Sequence, residues 1–179
     1  MNVEIITPEL LPKLEIFCKE AEELGYNNNS SLEAMKYYNI KIFEGEYFCA
    51  IKDDKIVAVA GCHRFPAVNE NAWRVMFRGA QLPGHHSYGI SKYHMDAITW
   101  RDILPAQIEF CDTDELYITT NVEHDASGKM NKIHRLFQNL CKIGLVDCYK
   151  EKAIIEYTEQ SVWKLNIDEY HLRRAKILN

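Results

Sequence analysis

The segment Pro83-Gly84-His85-His86-Ser87-Tyr88-Gly89-Ile90-Ser91 carries the residue types of an anion cradle. A loop that ends in Gly-x-Ser where a helix begins aims several backbone N–H groups at one point. The positive end of the helix dipole makes that point attractive to phosphate. A plain strand-to-helix connection has the same composition, because short glycine motifs are common. The order of the elements around the loop separates the two readings. His85, His86 and His94 do not have the spacing of a metal set, and no carboxylate or cysteine completes one, so no metal site is expected.

Composition narrows the partners. At 179 residues and 47% hydrophobic, the chain can bury one sizeable core, and a single domain spanning 1–179 is expected. A net charge of −5 and the lack of a Lys/Arg block argue against nucleic acid. Cysteines 18, 49, 62, 111, 141 and 148 sit mostly inside apolar runs without Cys-x-x-Cys spacing, which reads as buried thiols in a reducing compartment. Met1 to Ile6 lacks a basic region followed by an apolar core, and no run approaches the ~20 apolar residues that span a bilayer. A cytoplasmic protein without membrane partners is expected.

The elements that must position the loop follow from periodicity. Val3 to Ile6 reads as a strand, and Thr7 and Pro8 suit the cap and first position of a helix whose apolar face is Leu10, Leu14, Phe17, Cys18 and Ala21, with Gly25 as its stop. Ser30 and Glu33 form a capping box ahead of a short helix through Tyr38. Glu46 to Lys52 and Lys55 to Ala60 are strands around an Asp53-Asp54 turn, and Trp73 to Leu82 is a strand that Pro83 ends. After the loop, Tyr93, Ala97, Trp100, Arg101 and Ile103 predict a helix to Leu104, which Pro105 breaks before Ile108 and Phe110. Leu116 to Thr120 is a strand. A helix follows with an apolar face of Met130, Ile133, Phe137, Leu140 and Cys141, and Gly144-Leu145 is a Schellman-type stop. Ala153 to Tyr157 and Ser161 to Leu165 make a final hairpin, and the tail from Asp168 to Leu178 is partly helical.

This order resembles that of the GNAT superfamily of N-acyltransferases over nearly the whole chain. Local signatures agree: the Asp-Asp hairpin, Gly61, Pro83 at a strand end, Gly89-Ile90 at a helix start and Gly144-Leu145 after a helix. The resemblance implies an α/β (α+β) fold, with a mixed, mostly antiparallel central sheet of about seven strands flanked by about four helices. In that family the loop reads Arg/Gln-x-x-Gly-x-Gly/Ala, and its N–H groups hold the pyrophosphate of coenzyme A. Aligned on Pro83, the cofactor-binding residues are His86, Ser87, Tyr88, Gly89, Ile90 and Ser91; a second register, Gln81 to His86, places Pro where a donor is wanted. The resemblance further implies acetyl-CoA or another acyl-CoA as co-substrate, with the pantetheine arm lying between splayed strands Trp73–Leu82 and Leu116–Thr120. The acceptor would be a small-molecule or peptide amine that attacks directly in a ternary complex.

Acyl transfer needs a donor to the oxyanion, a base for the ammonium proton and an acid for the thiolate. Many family members place a Tyr acid four residues before the glycine that ends the helix; here that residue is Leu140. The family's strand Glu is absent, and the strand carries Arg74 and Arg78, which cannot act as bases. Asn121 has the best positional case for a catalytic role, because that strand end opens towards the thioester in the family, although it also suits a turn. Cys141 reads as a core thiol, His134 as a solvent-facing side chain and Ser127 as a helix cap. The missing acid and base leave a second reading open, a catalytically degenerate ligand-binding or interaction module. Trp163, taken as exposed on an end strand, would mark a homodimer face, although a half-buried Trp has the same pattern.

Overall fold

The computed structural model describes residues 1–23, 45–76, 97–122 and 132–179. Among them are seven strands and four α-helices, mixed in direction and mostly antiparallel, which is the α/β class that the sequence predicts. The chain packs as two compact units, Met1–Arg64 with Val75–Asp112, and Phe65–Arg74 with Thr113–Asn179. None of the described helices is long and apolar enough to cross a membrane.

In the first unit, β1 (Asn2–Ile5), β2 (Gly45–Lys52) and β3 (Lys55–Arg64) pair antiparallel in that order. The β2–β3 turn is the expected one: Asp53 and Asp54 both have positive φ, 50° and 63°, the conformation of a tight hairpin whose twist matches its strands. Helix α1 (Leu11–Glu23) lays Leu14, Phe17 and Cys18 on the sheet against Tyr47, Cys49, Ile56 and Val59. Gly61 is required opposite Tyr47, because a Cβ there would stand 2.7 Å from the Tyr47 ring. Burial pushes the Cys49 thiol up to about 12, and a hydrogen bond with Cys111 together with burial raises Cys62 as well.

Two helix expectations are corrected in this unit. Thr7 precedes a short 3-10 turn, Pro8–Leu10, but makes no capping bond, because its hydroxyl bonds the Glu9 carboxylate instead. Pro105 does not break its helix. Thr99 to Ile103 forms a π turn in which the Leu104 N–H reaches back to the Thr99 carbonyl, and α2 (Leu104–Cys111) continues with the proline in its first turn. Widening the coil just before a residue with no N–H removes the conflict that proline creates inside an α-helix. The Gly25 stop and the helix from Ser30 to Tyr38 lie outside the described residues.

In the second unit, Trp73 and Arg74 of β4 (Trp73–Met76) run parallel to the start of β5 (Leu116–Asn121), paired with Leu116 and Tyr117. Strand β7 (Thr158–Leu165) then pairs antiparallel with β5 as far as Asn121–Gln160 and with β6 (Val146–Ile155) on its other side. Helix α3 (Lys132–Lys142) packs on β5 and β6. It ends as the sequence predicts: Gly144 at φ 75° donates to the Cys141 carbonyl at 3.0 Å, and Leu145 to that of Leu140 at 3.0 Å, the two bonds of a Schellman motif. Helix α4 (Ile167–Leu178) is the expected helical tail, capped by the Asn166 side chain, which accepts the Glu169 N–H at 3.1 Å.

The final hairpin is longer than predicted. Strand β6 begins at Val146, and Glu156 and Tyr157, expected at the end of a strand, form the turn at φ 49° and 69°. This strand is an edge, exposed along most of its length and carrying Asp147, Lys150, Glu151 and Lys152, so it lacks the apolar alternation by which a half-buried strand is read. Trp163 is buried rather than exposed, because β7 lies between β5 and β6 and is not an end strand.

At the base of β5, the Glu115 carboxylate accepts from Lys164 Nζ at 2.5 Å, Tyr117 Oη at 2.5 Å and Asn69 Nδ2 at 3.2 Å. The Lys164 ammonium first and the Tyr117 hydroxyl second hold its carboxyl down to about 2. A depressed carboxyl stabilises the fold above the ordinary glutamate range, and that contribution is lost as pH falls from about 4.5 towards 2. Glu115→Gln is therefore expected to cost about 1 kcal/mol at neutral pH and to flatten the acid limb of a urea-unfolding series between pH 5 and 2. An unchanged acid limb would show that the cluster is not coupled to folding.

Candidate functional site

Directly opposed residues of an antiparallel pair share a face, and successive residues alternate. Tyr117–Lys164, Thr119–Val162 and Asn121–Gln160 therefore lie on one face of β5 and β7, and Ile118–Trp163 and Thr120–Ser161 on the other. Arg74, paired with Tyr117, belongs to the first face.

A cleft of about 430 Å³ at the end of β5 is lined mainly from the first face, by Arg74, Thr119, Asn121, Glu156, Thr158 and Gln160, and is reached from the other side by Thr120 and Ile133. Arg74 is buried at its floor, with its guanidinium 5.7 Å from the centre of the Phe65 ring. Its Nη1 donates to Glu156 Oε1 at 3.0 Å, and its Nη2 to Thr119 Oγ1 at 2.6 Å and Gln160 Oε1 at 3.3 Å. Gln160 then turns its amide nitrogen to the Ile155 carbonyl at 3.1 Å and Thr158 Oγ1 at 2.8 Å, and Thr158 donates to the same carbonyl at 3.0 Å. The guanidinium and the β6–β7 turn are thus one hydrogen-bonded assembly.

On the second face Trp163 Nε1 donates to Thr120 Oγ1 at 2.9 Å, and Thr120 Oγ1 lies 2.9 Å from His134 Nδ1. The indole N–H can only donate, so Thr120 accepts it, and the same hydroxyl is hydrogen-bonded to His134 Nδ1. His134 and Trp163 border a second cleft, of about 650 Å³, with Gln138, Cys141, Cys148 and Ser161.

The structure brings Asn121 into the first cleft, exposed at the end of β5. Leu140 is fully buried. Phe137 and Leu140 are buried as expected, but in the first turn of α3 His134, expected in solvent, is buried and Ile133, expected on the apolar face, is exposed, because Thr120 and Trp163 offer the imidazole a polar niche that periodicity does not reveal. Cys141 is half-buried and Cys148 exposed, so two of the expected core thiols line a cleft instead. His86, Ser87, Tyr88, Gly89, Ile90 and Ser91 lie outside the described residues, as do Arg78, Tyr93, His94 and Asp125 to Met130. Glu156, Thr119 and Gln160 are functional candidates that sequence reasoning missed. The polar run Thr119, Thr120 and Asn121 that ends an otherwise largely apolar strand was the available signal.

No protein-family model and no curated protein sequence matches the chain. Solved structures do. An acetyltransferase of the GNAT family from Staphylococcus aureus is similar at a TM-score of 0.54 and 13% identity, over 90% of this chain and 96% of that one. The chain has the GNAT fold. A point mutant of the spermidine N-acetyltransferase SpeG from Vibrio cholerae is similar at TM-score 0.52 and 11% identity over 97% and 99% of the two chains. FeeM, an N-acyl amino acid synthase from uncultured soil microbes, is similar at TM-score 0.54 and 10% identity over 96% and 98%. At such identities a GNAT scaffold is what the likeness establishes; the side chains of its clefts are this chain's own.

The second-face network gives a stability test. Thr120→Val leaves the Trp163 N–H and His134 Nδ1 facing a methyl group and is expected to cost about 2–4 kcal/mol in urea unfolding, whereas Thr120→Ser, which keeps the hydroxyl, costs about 1 kcal/mol or less. Equal losses for the two variants would assign the effect to the methyl group.

Proposed function

We propose that the protein is an acyl-CoA-dependent N-acyltransferase that transfers an acetyl group to a small-molecule or peptide amine by direct attack in a ternary complex. The observation that carries this reading is a GNAT scaffold whose β5 ends in an exposed Asn121 at the mouth of a polar cleft.

Coenzyme A, when bound, would supply the acyl group as a thioester with an electrophilic carbonyl carbon and a leaving sulfur. His86, Ser87, Tyr88, Gly89, Ile90 and Ser91 would hold its pyrophosphate through main-chain N–H groups, with Gly89 allowing the closest approach. The amine lone pair forms the C–N bond, the C–S bond breaks, and the electron pair leaves with sulfur. Asn121 donates a carboxamide N–H to the carbonyl oxygen as charge grows there. Arg74 is no base and Leu140 carries no proton; in this reading the amine proton passes to water and the sulfur takes its proton from water. The buried thiols on the first unit's sheet suit a cytoplasmic setting for this chemistry.

The full burial of Leu140 favours a second reading, a binding module without catalysis. Calorimetry and a free-thiol assay decide between them. Acetyl-CoA is expected to bind at micromolar concentration, and Gly89→Trp is expected to abolish binding with its circular dichroism intact. Asn121→Ala should keep that affinity and lower kcat about 10²-fold over a panel of amines. Binding without thiol release would establish the second reading, and no binding at millimolar concentration would remove the co-substrate assignment.

A further inference from the structure

The first cleft contains a carboxylate built into place. Glu156 and Tyr157 form a turn in which both adopt positive φ, 49° and 69°, a conformation that residues with a Cβ seldom take. The turn is braced from below, where Thr158 and Gln160 both donate to the Ile155 carbonyl. Arg74 holds the Glu156 carboxylate at 3.0 Å, yet the two side chains are unequally placed: that of Arg74 is 9% exposed and that of Glu156 is 54% exposed. The guanidinium is committed to the interior, where Thr119 and Gln160 also receive it, and the carboxylate stands at the opening.

The ligand chemistry follows from this asymmetry. An anion entering the cleft would meet Glu156 first, and Arg74 N–H groups already directed at three oxygens. An ammonium meets the opposite. It brings three N–H donors and no acceptor, and a carboxylate offers about four lone-pair sites that can serve several donors at once. The Asn121 and Thr158 oxygens in the same lining are neutral acceptors for the remaining donors. The net charge of −5 favours the approach of a cation.

Resting on the acyltransferase reading above, we propose that Glu156 selects the acceptor, binding a primary amine in its ammonium form beside Asn121, and that Arg74 is the positioning residue that keeps the carboxylate at the cleft mouth. The acceptor class is then a cationic amine. Binding precedes chemistry: the ammonium gives one proton to water and the neutral nitrogen attacks.

The test uses 1,4-diaminobutane and its uncharged counterpart 1,4-butanediol with the full chain. Calorimetry is expected to show binding of the diamine and none of the diol, with Glu156→Gln weakening the diamine about tenfold or more. In the thiol-release assay, Glu156→Gln raises KM for the diamine by a similar factor and leaves kcat within about twofold. On the wild-type protein, backbone amide shifts induced by the diamine centre on Asn121, Glu156 and Thr158, which keeps the test decisive if the variant does not fold. Equal binding of diol and diamine, full affinity in Glu156→Gln, shifts centred elsewhere, or no binding of the diamine each overturns the proposal. Those failures leave acetyl-CoA binding intact, whereas failure of the acyltransferase reading removes acetyl-CoA binding or thiol release and leaves diamine binding in place.

Discussion

A buried guanidinium must be paired. Removing Arg74 from water costs several kcal/mol unless its N–H groups find acceptors, and in this protein they come from three separate elements: Thr119 on β5, Gln160 on β7 and Glu156 on the β6–β7 turn. That requirement sets the register of the second unit. A slip of one residue between β5 and β7 would carry Thr119 or Gln160 to the opposite face and leave the charge without its partners. Beside the guanidinium, Phe65, Tyr117, Ile155 and Val162 pack as an apolar cluster, so the ion pair and the core of this unit hold each other in place.

Strand β5 works on both sides of its pleat. Its odd-numbered polar residues, Thr119 and Asn121, line the open cleft, and the residue between them, Thr120, borders the cleft too but spends its hydroxyl on a buried network with Trp163 and His134. The two sets have different physical duties. The buried network must be fully satisfied because unpaired polar groups there carry the whole desolvation penalty, while the cleft residues keep polar atoms that a ligand can meet. Rigidity on one face supports a site on the other.

A GNAT scaffold with Leu140 buried and Arg74 on β4 shows how fold and chemistry separate. The scaffold asks only for apolar residues at the right period and for turns that close correctly, and it places few demands on the polar residues at its strand ends. The cleft therefore carries an ion pair and uncharged amides and hydroxyls.

Features set by neighbouring residues were legible in the sequence. The Asp53-Asp54 hairpin, the Gly144-Leu145 stop and the helical tail each depend on a few φ/ψ choices and on hydrogen bonds between residues close in the chain, and the strand at Leu116 was legible from its apolar, β-branched and aromatic residues. Edge strand β6, the burial of His134 with the exposure of Ile133, and the pairing of Glu156 with Arg74 were not legible. A charged edge has no apolar rhythm, and the polar niche for an imidazole is built by residues of other strands. Arg74 meets partners 45, 82 and 86 positions away. By itself the sequence determined the elements and their order, because local sterics and periodicity are written residue by residue. Only the tertiary structure decided which polar side chains face one cleft, because that choice is made by burial, which pairs groups regardless of their distance along the chain.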